Sequence, residues 1–168
     1  MSSKKIVFIN PPYERIAKGY DFVKHITNNS PSLGLLHLAA EVRLHGYVPK
    51  IIESDIFNMP IDAVMEEVEN ESPAYVGITL FTVGVWNALT IAREIKKRLP
   101  KTVIIVGGPH ISSMGKETME RFREFDYAVD GEGEKILVEL LRVLEAGGNP
   151  FSVPGIIFRK GPFVHQTQ

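Results

Sequence analysis

The chain has 168 residues, 44% of them apolar and 23% charged, with a formal net charge of −1. That is the length of one domain with a real core, and so balanced a charge leaves neither a nucleic-acid footprint nor a polybasic membrane patch. No cysteine is present, which removes disulfides, zinc fingers and cysteine-ligated clusters from this chain and fits a reducing compartment. The apolar run Ile6 to Ile9 is too short for a signal-peptide core, and no later run is long enough to span a bilayer. The expected location is cytoplasmic.

Lys5 to Asn10 reads as a first strand, ended by Pro11 and Pro12. The segment from Pro11 to Pro31 has no clean period, and a connection of that length inside a compact domain is usually functional or mobile. Ser32 is placed to cap a helix running to about His45, with Leu33, Leu36, Ala40 and Leu44 at helical spacing and Gly46 as its stop. Val48 to Glu53 is a second strand. Pro60 opens a helix through Val64, Met65 and Val68 that ends near Ser72-Pro73.

Tyr75 to Leu80 is a third strand. Val85 to Leu99 is a helix with Trp86, Leu89, Ala92, Ile95 and Leu99 on one face. Val103-Ile-Ile-Val-Gly-Gly-Pro-His110 begins with four β-branched residues, a strand buried on both faces, and breaks into paired glycines that let a ligand or another chain approach the backbone. Met114 to Phe122 reads as a weaker helix and Tyr127 to Val129 as a short fifth strand. Glu134 to Glu145 is a strongly amphipathic helix stopped by Gly147-Gly148. Gly155 to Arg159 and Phe163 to Gln166 form a hairpin around Lys160-Gly161-Pro162. The expected fold is α/β, a Rossmann-like (flavodoxin-like) five-stranded parallel sheet of order 2-1-3-4-5 with a C-terminal β-hairpin.

Ligands of such sheets bind beyond the carboxyl ends of the strands. After the first strand, Pro11 and Pro12 remove two of the N–H donors that would cradle a flavin phosphate. A phospho-acceptor Asp is missing from the end of the third strand, where Thr79-Leu80-Phe81-Thr82 stands. Asp130-Gly131-Glu132-Gly133-Glu134 looks superficially like the dinucleotide signature, but Ile136 replaces its third glycine. Glu132 and Glu134 would repel a pyrophosphate, and they either cap the following helix or accept hydrogen bonds from hydroxyls and amides. These strand ends suit a large ligand rich in amides and hydroxyls.

Taken in order, Asn10-Pro11-Pro12, Pro31-Ser32-Leu33-Gly34-Leu35, Gly46-Tyr47, Gly77-Ile78-Thr79, Gly107-Gly108-Pro109-His110, Gly131-Glu132-Gly133-Glu134 and Pro154-Gly155-Ile156 make a recognisable set. With them the chain, over nearly its whole length, resembles the N-terminal cobalamin-binding domain of cobalamin-dependent radical S-adenosylmethionine enzymes, a group that includes the anaerobic magnesium-protoporphyrin IX monomethyl ester cyclase. The resemblance implies cobalamin over the carboxyl edge of the sheet, with its nucleotide tail tucked into that edge. It implies that Thr79, Leu80 and Phe81, with Gly107, Gly108, Pro109 and His110 and the Gly131–Glu134 loop, line the tail and corrin, while Asn10 and Pro11 shape the opposite wall.

The Asp-x-His-x-x-Gly motif whose histidine ligates cobalt in other cobalamin proteins is absent, and Asp21 and His25 are too widely spaced to replace it. Cobalt without a protein histidine below it is therefore expected. The three-cysteine cluster motif of the catalytic half is absent too. Residues 1–168 are accordingly expected to be one cobalamin-binding-like domain cut from a longer protein. The fragment would not be catalytic alone. Its parent, a methyltransferase or cyclase, would carry the iron–sulfur cluster and S-adenosylmethionine in a C-terminal radical domain, the partner of this one. The alternative is a degenerate Rossmann-like scaffold or partner-docking domain that no longer binds cobalamin.

Individual residues have plainer roles to set beside these. His110 is expected to anchor a loop by hydrogen bonding, and His37 and His45 to lie on a helix surface. His25 is a weak candidate for cobalt contact, and Tyr13 packs either on the ligand or on the sheet. Trp86 fits a core or helix-cap position, whereas Phe81 stands where a corrin face would need an apolar wall. Lys96, Lys97 and Arg98 are a solvated helix end favoured by the dipole.

Overall fold

A computed structural model describes residues 4–12 and 31–168. The connection between Pro12 and Pro31, with Tyr13, Asp21 and His25, lies outside the described residues.

Among the described residues seven strands form one sheet: β1 (Lys5–Asn10), β2 (Val48–Glu53), β3 (Tyr75–Thr79), β4 (Val103–Gly107), β5 (Tyr127–Val129), β6 (Ile156–Lys160) and β7 (Phe163–Gln166). Their order is β2-β1-β3-β4-β5-β6-β7. The first five pair in parallel, in the expected order 2-1-3-4-5, and β5, β6 and β7 pair antiparallel. The C-terminal hairpin therefore extends the main sheet. Ile156, Ile157 and Phe158 of β6 are almost fully buried, which makes that extension part of the core.

Among the described residues five α-helices connect the strands: α1 (Leu33–Leu44), α2 (Ile61–Glu71), α3 (Val85–Arg98), α4 (Pro109–Arg121) and α5 (Gly133–Glu145). They divide the core in two. Val64, Met65 and Val68 of α2, the apolar face of α3, and Ile111 and Met119 of α4 pack on one side of the sheet. Leu35, Ala39 and Val42 of α1 and Leu137, Val138, Leu140 and Leu141 of α5 pack on the other.

Two helices differ from expectation. In α1 the buried stripe is Leu35, Ala39 and Val42, whereas Leu33, Leu36, Ala40 and Leu44 are exposed, Leu44 to 80%. Both stripes are apolar and both recur at helical spacing, so periodicity alone does not choose between them. The fourth helix begins at Pro109, five residues before Met114. Gly108 occupies its N-cap and Pro109 its first turn, where the missing N–H and fixed φ favour a helix start. Met114 (φ −142°, ψ 30°) is a kink inside it.

Candidate functional site

Between the first turns of α1 and α5 and the carboxyl half of the sheet lies a pocket of about 290 Å³. Its floor follows from strand register. Phe8 on β1 pairs with Gly77 on β3, which pairs with Ile105 on β4. A Cβ on Gly77 would stand 2.7 Å from the Phe8 ring, so glycine is what lets the ring lie flat across the neighbouring strand. Leu35 and Leu38 of α1 and Leu137 of α5 form the walls, with Val129 at the end of β5.

The mouth is built from helix starts and strand ends. Ser32 caps α1, its hydroxyl accepting from the Leu35 N–H at 3.4 Å. Thr79 ends β3 and Phe81 follows it, 38% exposed and part of the lining. Gly107, Gly108 and Pro109 turn from β4 into α4. Gly108 has φ +100°, in the left-handed region, and a Cβ there would stand 2.9 Å from Thr79 Oγ1 and 3.1 Å from the Leu80 carbonyl. Both constraints call for glycine. Gly131, Gly133 and Glu134 close the far side.

Of the residues singled out from sequence, Thr79, Phe81, Gly107, Gly108, Pro109, Gly131, Gly133 and Glu134 meet in this lining. Five others sit elsewhere. Leu80 is fully buried in the core on the opposite face; its N–H donates to Gly107 O at 2.7 Å and its carbonyl accepts from His110 N at 3.0 Å. The buried His110 ring is held between Thr82 Oγ1 (3.1 Å from Nδ1) and Thr118 Oγ1 (3.0 Å from Nε2), away from the pocket. Burial pushes its pKa below the usual histidine value. Glu132 occupies the α5 N-cap position, exposed and without a side-chain capping bond.

Asn10 and Pro11 are also buried outside the lining. Asn10 Nδ2 donates to Glu53 Oε2 at 2.9 Å, and Glu53 Oε1 accepts from the Ser32 N–H at 2.7 Å. This chain of bonds ties the ends of β1 and β2 to the start of α1. Ser54 Oγ donates to the Asn10 carbonyl at 2.5 Å, while Asn10 Oδ1 is buried without a partner among the described residues. Trp86, expected in the core or at a helix cap, lies in the first turn of α3, 49% exposed, edge-on to Phe122 and with the Arg121 guanidinium over its ring.

Sequence reasoning passed over Phe8, Leu35, Leu38, Ile105, Val129 and Leu137, because a leucine lining a pocket has the same pattern as one in the core. The available signal was Gly77, a glycine in an otherwise β-branched strand, which marks a close approach. Among the described residues, no group of three or more His, Cys, Asp or Glu side chains is arranged to hold a metal ion, and no helix is long and apolar enough to cross a membrane.

A mainly parallel sheet with a glycine-rimmed, apolar pocket at its carboxyl edge defines an open α/β ligand-binding domain. The chain belongs to the B12 binding domain family, whose model matches residues 21–141. It is 29% identical over 160 residues, 95% of its length, to an uncharacterized methyltransferase of Pyrococcus horikoshii, of which it covers 34%. It is 27% identical over 147 residues, 85% of its length, to the anaerobic magnesium-protoporphyrin IX monomethyl ester cyclase of Rubrivivax gelatinosus, of which it covers 25%. The radical S-adenosylmethionine methyltransferase TsrM from Kitasatospora setae, solved with cobalamin and a [4Fe-4S] cluster bound, superposes over 98% of this chain and 31% of that one, with TM-score 0.77 and 22% identity. The chain thus spans between about a quarter and about a third of the length of these proteins.

Proposed function

We propose that this domain binds cobalamin and presents it to a radical S-adenosylmethionine domain of a methyltransferase or cyclase. The observation that carries the reading is the pocket between α1 and α5, apolar inside and rimmed by glycines. At about 290 Å³ it lies at the lower limit of small-ligand pockets, which run from about 300 to 1,000 Å³. It has room for one aromatic appendage, and the bulk of a corrinoid must lie outside, across the carboxyl edge.

The rim suits that arrangement. Among the described residues, Gly34 and Gly131 have nothing within 4 Å of where a Cβ would stand, so a broad ligand meets open backbone there. Thr79, Ser32 and Glu134 supply a few polar groups at the mouth for hydroxyls or amides. Phe81 offers a partly exposed apolar wall beside them. Cobalamin, once bound, would supply group-transfer chemistry at cobalt. The chain's own residues bind, orient and shield, and the reaction belongs to the partner domain.

Incubating the chain with hydroxocobalamin, desalting it and recording the visible spectrum tests this reading. Retained corrinoid absorbance near one equivalent is expected. Colourless protein after saturating incubation would leave a scaffold role instead.

A further inference from the structure

The pocket is layered. Its polar side chains stand at the mouth: Ser32 before the first turn of α1, Thr79 at the end of β3, and Glu134 in the first turn of α5. Three residues further along each helix, about 4.5 Å deeper, come Leu35 and Leu137, each 3% exposed. Two residues back along the strands, roughly 6–7 Å, lie Phe8, Gly77 and Ile105. Their backbones belong to the β1–β3–β4 ladder. Among the described residues the deep layer thus has no side-chain nitrogen or oxygen to offer.

Resting on the cobalamin reading, we infer that this chain discriminates among cobamides by the base at the end of the nucleotide tail, taking benzenoid bases in preference to purines. A base entering from the mouth presents its far edge to the deep layer. Dimethylbenzimidazole ends in two methyl groups, which pack on Phe8, Leu35, Ile105 and Leu137. A phenolic base likewise turns a hydrocarbon edge inward. Adenine carries an exocyclic amine and ring nitrogens on that edge, and these lose water without gaining a partner. Glu134 and Thr79 stand in the layer above, at the mouth, by the other end of the base.

The test is an equilibrium titration of the chain with four probes: cobalamin, the adenine-based cobamide, a phenol-based cobamide and base-free cobinamide. Cobalamin is expected to bind at least tenfold tighter than the adenine cobamide and cobinamide, with the phenol form close to cobalamin. Adenine cobamide binding as tightly as cobalamin would overturn the inference. Cobinamide matching cobalamin would also overturn it, while leaving corrinoid binding intact. Failure of all four probes would remove the cobalamin reading itself. Leu35→Gln, confirmed folded by circular dichroism, places an amide in the deep layer and should narrow the cobalamin-to-adenine ratio at least threefold. An unchanged ratio in that folded variant counts against the deep layer as the selecting surface.

Discussion

Phe8 and Gly77 are register partners on β1 and β3, and the Phe8 ring occupies the space that a side chain on Gly77 would need. The contact makes the pocket floor flat. Gly77→Ala puts a methyl 2.7 Å from a ring with almost no exposed surface, so the ring must swing toward the cavity. Overpacking of this kind costs about 1–3 kcal/mol. Denaturant unfolding should register that loss, and cobalamin affinity should fall at least tenfold.

Gly108 sits under two constraints, a φ of +100° and a close approach to Thr79 and Leu80. Gly108→Ala is expected to destabilise the chain by about 1–3 kcal/mol, measured as a lower unfolding midpoint. Thr79→Ser retains the hydroxyl and should leave that midpoint within about 0.5 kcal/mol of the parent.

Glu53 holds two donors, the Asn10 amide and the Ser32 backbone N–H, in a position that is 8% exposed. Glu53→Ala strands both; the buried Asn10 donor left unmade costs about 1–3 kcal/mol, and the half-buried Ser32 N–H, which water can reach, costs less. Urea unfolding of Glu53→Ala and Glu53→Gln should rank the glutamine variant between alanine and the parent.

His110 contributes a pH dependence of definite sign. Burial lowers its pKa in the folded chain below the unfolded value of about 6.5. The unfolded state therefore binds more protons in the window between the two values, and stability rises with pH across it. The contribution is complete above about pH 6.5 and is lost as pH falls toward the folded pKa. His110→Gln keeps a polar group between Thr82 and Thr118 without titrating. Its stability-versus-pH curve should be flatter than the parent's below pH 6.5, measured by chemical denaturation at several pH values.

The strand order was legible because alternating strands and helices leave few right-handed ways to wind a parallel sheet. The glycines of the rim were legible because Gly107, Gly108, Gly131 and Gly133 fall at or just past strand ends. The walls were not. Leu35 and Leu137 line a cavity while Leu140 and Leu141 fill a core, and nothing in a one-dimensional pattern separates them. The buried face of α1 was missed for a related reason, since Leu33, Leu36 and Leu44 mimic the stripe that Leu35, Ala39 and Val42 form. Asn10, Leu80 and His110 stand at the right strand ends, yet they serve the frame behind the pocket.

Gly34 offers the most direct test of the pocket itself. It lines the cavity from the first turn of α1, its φ is not in the left-handed region, and among the described residues nothing stands within 4 Å of a Cβ built there. A tryptophan grown from this position is expected to occupy the cavity, and replacing a helical glycine does not lower helix propensity. Equilibrium dialysis against hydroxocobalamin should give binding by the parent chain and at least tenfold weaker binding by Gly34→Trp, with no drop in its thermal midpoint. Equal binding by the two would contradict the placement of cobalamin in this pocket.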